Sequence, residues 1–357
     1  MMRIAILWTG LSGYLNACLR ELATRPGVEL LVAHRAAGDD APFETSQFSW
    51  MPERLQYGSR PDREGLLAAA MRFAPEVLLV NSWHIAEFRY VLERLRPRPL
   101  RVLCMDNQWR GTWKQRLAVV TSPWHVRRLY EVAFLPGERQ ACFARRLGFP
   151  DDRIWQGLLC PDTAMLVAAA RTPPSPLPRA FGYLGRLSPE KGIHDLLLAY
   201  ELYRASSDTP WDLHVAGAGP LSPELDRHPT VMKSGFVQPA DLGAWMQEIG
   251  CLVVPSRFEP WGVVLSEAAT AGLPIIATDA CGAVPHLVRD FANGRIAHAG
   301  VGRSLAQCMA YVASLSDDER LAMGQVSRGL ASPYTPARWA DTVLARSAEL
   351  LADRVVR

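Results

Sequence analysis

No run of apolar residues in this chain approaches the roughly 20 needed for a membrane-spanning helix, which excludes an integral helical membrane protein as the reading of its sequence. The opening Met1-Met2-Arg3-Ile4-Ala5-Ile6-Leu7-Trp8 is too short for a signal-peptide core and leads into Thr9-Gly10-Leu11-Ser12-Gly13 with no cleavage-site pattern, so a first β-strand is expected there. Cysteine is sparse and unpatterned: seven residues, an odd number, never spaced Cys-x-x-Cys. Neither a disulfide framework nor a zinc site is expected, and a reducing cytoplasm is the compartment that fits. Charge of one sign is also lacking, the net being only +3, so nucleic acid is not an expected partner. No repeat or low-complexity tract is visible.

What is present is a globular composition, 49% apolar and 21% charged, over 357 residues, enough for two domains. Short β-branched runs alternate with amphipathic stretches. Strands are expected at 3–8, 30–34, 77–81 and 100–105, with helices such as 14–24 and 63–73 between them. Residues 171–179 carry four prolines, resist helix and central strand, and mark a linker between a first domain (1–170) and a second (180–335). In the second, strands are expected at 180–184, 211–216, 231–236, 251–255 and 274–278, with helices at 194–204, 240–248 and 263–271. A long helix closes the chain over 336–357. The alternation is that of an α/β fold with doubly wound parallel sheets. Ligands bind beyond the carboxyl ends of such strands, so two domains face to face would form one deep cleft.

Two loops carry the chemistry. After the strand ending at Pro255 come Ser256-Arg257-Phe258-Glu259-Pro260-Trp261-Gly262-Val263, with a helix opening near Gly262 and Glu267 in its second turn. A helix start offers unpaired N–H groups and partial positive charge to a pyrophosphate. Glu259 and Glu267 can then accept hydrogen bonds from sugar hydroxyls on either side of it. The second loop, Gly185-Arg186-Leu187-Ser188-Pro189-Glu190-Lys191-Gly192, places a guanidinium and an ammonium where a departing diphosphate gathers negative charge. Each feature alone has a plain explanation in helix-dipole and turn chemistry. Their succession on strand-to-helix loops of one domain favours the joint reading.

The series Gly185-Arg186-Leu187-x-x-Glu190-Lys191-Gly192, Val215-Ala216-Gly217-x-Gly219-Pro220, and Pro255-Ser256 with Glu259, Trp261-Gly262 and Glu267 resembles the family 4 retaining glycosyltransferases of the GT-B fold. The resemblance is specific over about residues 181–294. It implies two Rossmann-like domains facing across a cleft, the last helix packing back on the first domain, and transfer of a hexose-type sugar from a nucleoside diphosphate, UDP or GDP, to an acceptor hydroxyl in glycan or glycoconjugate synthesis. By the same resemblance Arg186 and Lys191 hold the donor phosphates, Glu259 the sugar and Glu267 the ribose, with Trp261, Gly262 and Val263 at the phosphate seat and Val237 against the base. Gly10 and Gly13 would abut the donor from the first domain. No cofactor or metal is implied.

Asp106 stands where many members carry a histidine and is the remaining catalytic candidate; His286 stands where many carry a glutamate. Trp83, His84, Asn107 and Trp109 follow strands of the first domain and are the acceptor-side candidates. Trp83, Trp109, Trp113 and Trp124 read first as buried packing and second as a sugar-stacking platform. The arginines between Arg110 and Arg146 read first as a solvated helical face and second as a contact for an anionic acceptor or membrane surface. Two other functions stay open: a sugar-nucleotide epimerase of the same fold, and a non-catalytic nucleotide-sugar-binding protein.

Overall fold

The structure, a computed structural model, describes residues 1–36, 45–51, 53–170 and 176–356. The chain forms two compact units: one holds the described residues up to Cys160 and the segment from Thr335, the other Pro161–Tyr334.

The first unit runs β1 (Met2–Trp8), α1 (Gly13–Ala23), β2 (Val28–Arg35), β3 (Glu53–Tyr57), α2 (Arg63–Phe73), β4 (Val77–Val80), α3 (Ala86–Arg94), β5 (Leu100–Cys104), α4 (Trp113–His125), β6 (Val132–Leu135), α5 (Glu138–Arg146) and β7 (Ile154–Gln156). All seven strands are parallel, in the order β3-β2-β1-β4-β5-β6-β7. The central strands read as unbroken apolar runs because helices cover both faces: Ile4 to Leu7 and Val77 to Val80 are wholly buried. Strand β3 has no such signature. It is an edge strand of sequence Glu-Arg-Leu-Gln-Tyr with almost every side chain in solvent, so burial leaves no mark on its sequence. Ser12 and Asp62 cap α1 and α2, accepting from the N–H groups of Leu15 and of Glu64 and Gly65.

The second unit runs α6 (Thr163–Ala170), β8 (Ala180–Leu184), α7 (Ile193–Ala205), β9 (Asp212–Ala216), β10 (Val231–Gly235), α8 (Leu242–Gln247), β11 (Cys251–Val254), α9 (Val263–Ala271), β12 (Ile275–Thr278), α10 (Val284–Leu287), β13 (Gly294–Ala297), α11 (Gly302–Ala313) and α12 (Asp317–Ala331). Its six strands are again parallel, in the order β10-β9-β8-β11-β12-β13. Phe181 anchors the core on one face, edge-on to Tyr203 at 5.4 Å and against Trp211 at 4.9 Å. Helix α6 packs on α8 and α9, so the second unit begins ten residues ahead of the proline-rich stretch. Residues 171–175 of that expected linker lie outside the described residues. The closing helix α13 (Pro336–Val356) packs on α1 of the first unit, with Trp339 buried against Phe134 and Asp341 paired to Arg25 at 3.0 Å.

Candidate active site

In each sheet the strand order reverses once, between β1 and β4 in the first and between β8 and β11 in the second. Such a switch point opens a crevice beyond the carboxyl ends of the two strands. In the second unit the loops that leave β8 and β11 there are the two that carry Arg186, Lys191 and Glu259.

Close backbone packing joins these loops. A Cβ on Gly192 would lie 2.1 Å from the carbonyl oxygen of Pro255, and one on Gly217 would lie 1.9 Å from that of Gly185. Only glycine lets the loops after β8, β9 and β11 touch main chain to main chain. The N–H groups of Arg257 and Phe258 then donate to the Glu190 carbonyl at 2.9 and 3.2 Å. From the outer side the Arg257 guanidinium grips Asp195 of α7 through two bonds of 2.7 and 2.8 Å. The Ser188 hydroxyl donates to Glu190 at 2.6 Å and holds its carboxyl below the ordinary range.

The result of this packing is a direct ion pair, Lys191 Nζ donating to Glu259 Oε2 at 2.5 Å, with both side chains mostly out of solvent. Arg186 lies exposed at the end of β8, and its carbonyl accepts from the Tyr183 hydroxyl at 2.7 Å. Burial, with the carboxylates of Glu259 and Glu190 nearby, raises the Tyr183 pKa far above its usual value. Gly262 then starts α9 in a left-handed conformation, φ +93°, with no side chain capping the helix. The Leu265 N–H donates to the Gly262 carbonyl at 3.0 Å, while the N–H groups of Val263 and Val264 have no side-chain cap, the arrangement at a helix start that can take an anion. A Cβ on Gly262 would come within 3.0 Å of Glu259 Cγ, so Glu259 folds over the glycine at the mouth of the helix. Deeper in α9, desolvation pushes the Glu267 carboxyl up to about 7.

The Trp261 side chain is 1% exposed and packs between His286 and Tyr334, at 5.4 and 5.6 Å, so its ring is part of the floor beneath the loop and only its main chain faces the mouth of α9. The loop after β12 supports this floor: the N–H groups of Gly282 and Ala283 donate to the carbonyls of Glu259 and Trp261. His286, at the position that drew attention in sequence, is one wall of the aromatic packing. Val237 is half-buried after β10.

In the first unit, Thr9 and Asn81 clasp each other across the switch point: Asn81 Oδ1 accepts from the Thr9 N–H at 3.2 Å and Asn81 Nδ2 donates to Thr9 Oγ1 at 2.6 Å. Beyond them opens a pocket of about 440 Å³ that Gly10, Tyr14, Arg35, Asn81 and Asp106 help to line. Gly13 begins α1 behind it. Among the acceptor-side candidates, the His84 ring lies 4.8 Å from that of Trp83, and His84 lines, with Tyr57 and Arg60, an adjoining pocket that shares Thr9 and Arg35 with the first; burial lowers its pKa. Trp83 and Trp109 both pack on Phe143, at 6.2 and 5.7 Å, and Asn107 points to solvent at neither pocket. Asp195 is not legible in the sequence because its partner Arg257 lies 62 residues away, and Tyr14 and Arg35 line the first-unit pocket with no local motif to mark them.

Residues 172–328 match the family model described as glycosyl transferases group 1. A glycogen synthase of Mycobacterium tuberculosis is 33% identical over 165 residues, 44% of this chain and 38% of that protein. An alpha-D-kanosaminyltransferase of Streptomyces kanamyceticus is 31% identical over 120 residues, 31% of this chain and 30% of that one. The matches thus span less than half of these curated relatives. Among solved structures, Anabaena HepE, crystallised with UDP and glucose, superposes with a TM-score of 0.75 at 18% identity, over 98% of this chain and 100% of that one. Sucrose-phosphate synthase of Thermosynechococcus elongatus gives 0.74 at 14% identity over the whole of both chains. The fold is GT-B, two Rossmann-like units with seven and six parallel strands.

Proposed function

We propose that the protein is a glycosyltransferase that moves a sugar from a nucleoside diphosphate donor to an acceptor hydroxyl, with the donor seated in the second unit. The Lys191–Glu259 pair in front of the uncapped start of α9 carries this reading. A cation and an anion compensate each other there and lie beside open N–H groups. A diphosphate can take the cation while sugar hydroxyls take the anion. The match to the glycosyl transferase model over 172–328 and the UDP and UDP-glucose held by HepE support the same assignment.

In the proposed reaction the bond from the anomeric carbon to the diphosphate oxygen breaks and the diphosphate keeps the electron pair. Arg186, Lys191 and the N–H groups around Val263 stabilise the charge that builds on it, a role that needs no metal. The acceptor oxygen bonds to the anomeric carbon and gives its proton to the departing phosphate. Attack from the face the diphosphate leaves retains configuration, the stereochemistry implied by the resemblance. Glu259 holds the hexose and Glu267 the ribose. The pocket that Asp106 and Asn81 help to line is the acceptor candidate, with Gly10 and Gly13 as the residues of the first unit that abut the donor.

Thermal-shift titration with UDP, GDP, ADP and dTDP, on the wild type and on Arg186→Ala and Lys191→Ala, tests the reading. One nucleotide is expected to stabilise the wild type, and each variant to lose at least about 2 kcal/mol of transition-state stabilisation in the matching transfer assay. No shift with any nucleotide, or variants that turn over like the wild type, would refute it.

A further inference from the structure

Helix α4 breaks the pattern of the other helices. Trp113, Leu117, Val120 and Trp124 are 70, 54, 68 and 66% exposed, although buried packing is the ordinary fate of such residues. At 100° per residue these four positions fall within about 60° of arc, one stripe down a helix about 20 Å long. Lys114 lies on one flank of the stripe and Arg116 on the other, both exposed. Thr112 caps the helix by accepting from the Gln115 N–H, and on the opposite face Ala118 and Val119 pack on the core while the buried Ser122 hydroxyl donates to the Leu147 carbonyl at 2.6 Å. The stripe is therefore on the outward side of the helix.

The surrounding sequence has one sign of charge. Residues 107–130 contain no aspartate or glutamate and five basic residues, Arg110, Lys114, Arg116, Arg127 and Arg128. By contrast Arg145, in the neighbouring arginine cluster, is neutralised by Glu138 and Asp151, and Arg146 stacks on Trp109.

We propose that α4 seats the protein on an anionic lipid bilayer, lying in the plane of the interface with its apolar stripe among the acyl chains. Two indoles at the ends of a short helix suit the headgroup boundary, where an aromatic ring keeps its N–H wet. The stems of Lys114 and Arg116 lie along the stripe's edges while their charged heads reach lipid phosphates. A fluid bilayer conforms to a single exposed helical stripe of this kind. No helix among the described residues is long and apolar enough to cross a membrane, so the contact is peripheral. This inference rests on α4 and is independent of the donor site.

The full chain is sedimented with vesicles of phosphatidylcholine and of phosphatidylcholine mixed with phosphatidylglycerol. The wild type is expected to bind the anionic vesicles more tightly, and less so as salt is raised. Trp113→Ser/Trp124→Ser is expected to lose at least about tenfold in partitioning, and Lys114→Gln/Arg116→Gln on the order of tenfold on anionic vesicles alone. Thermal unfolding should be unchanged in both, because all four side chains are in solvent. Failure of the wild type to bind, equal binding to both vesicle types, or binding that the tryptophan variant retains would overturn the proposal. So would a dimer in velocity sedimentation that the tryptophan variant dissociates, since the stripe would then belong to a second copy.

Discussion

Glu267→Gln isolates the cost of the carboxylate that the second unit holds in α9. Desolvation raises its pKa from the ordinary 4.5 to about 7. Between those values the folded chain keeps a proton that the unfolded chain has released, so stability falls as pH rises. The full shift corresponds to about 3 kcal/mol, and the part that develops between about pH 5 and pH 8.5 to about 2.5 kcal/mol. Glutamine has the same shape and no titration. In urea unfolding without nucleotide, the variant is therefore expected to gain about 2.5 kcal/mol on the wild type across that interval. Taking the difference between the two proteins cancels every other titrating group. If Glu267 holds the ribose as proposed, donor affinity should move the opposite way: its ionised form would accept from the ribose hydroxyls, so wild-type binding would strengthen through pH 7 while that of the variant stays flat and weak. A stability difference that changes by less than about 1 kcal/mol would show that the carboxyl is well solvated and would refute the reasoning.

Gly262→Ala places a Cβ 2.7 Å from Leu265 Cδ1 and 3.0 Å from Glu259 Cγ at a left-handed φ. It is expected to cost roughly 1–3 kcal/mol in thermal unfolding and to weaken nucleotide binding by displacing Glu259; an alanine variant with wild-type affinity would contradict the placement. Asp195→Ala removes the two-bonded grip on Arg257, and with Arg257 half in solvent the expected loss is about 1–2 kcal/mol. The same variant should raise the donor KM more than it lowers kcat, and unaltered unfolding would show that α7 does not hold the loop.

Legibility differed sharply between features. The expected bounds of strand β8 and helix α9 are the observed ones, since a strand buried over all but its last residue and a helix started by glycine both write their environment locally. The edge strand β3 was missed because solvent surrounds it, and the three-residue β7 because it is too short to show a period. Arg186, Lys191 and Glu259 were recognisable as residue types on the right loops. That Lys191 and Glu259 bond to each other was not, since 68 residues separate them and the contact depends on how loops pack through glycine. Trp261 and the α4 tryptophans show the limit from opposite sides. The first, which the resemblance places at the phosphate seat, has its ring buried in the floor; Trp113 and Trp124, read first as buried packing, are among the most exposed apolar side chains. Sequence gives a tryptophan's chemistry, while its exposure depends on what the rest of the chain lays over it.

Under the proposed function, the Lys191–Glu259 pair would explain how a donor site stays folded before the donor arrives. Two charges held mostly out of water and left alone would each carry a desolvation penalty. Bonded to each other, they offset that penalty while remaining a few ångströms from solvent, where exchange of partners is possible. A diphosphate and a hydroxylated sugar supply replacement partners of matching sign, so binding swaps one set of charge-assisted hydrogen bonds for another and exposes no bare charge. The rigid parts of the arrangement are main-chain contacts at Gly185, Gly192 and Gly217, which the swap does not disturb. Only side chains at the mouth of α9 need to move, and the cost of ordering the loops has already been met by folding the second unit.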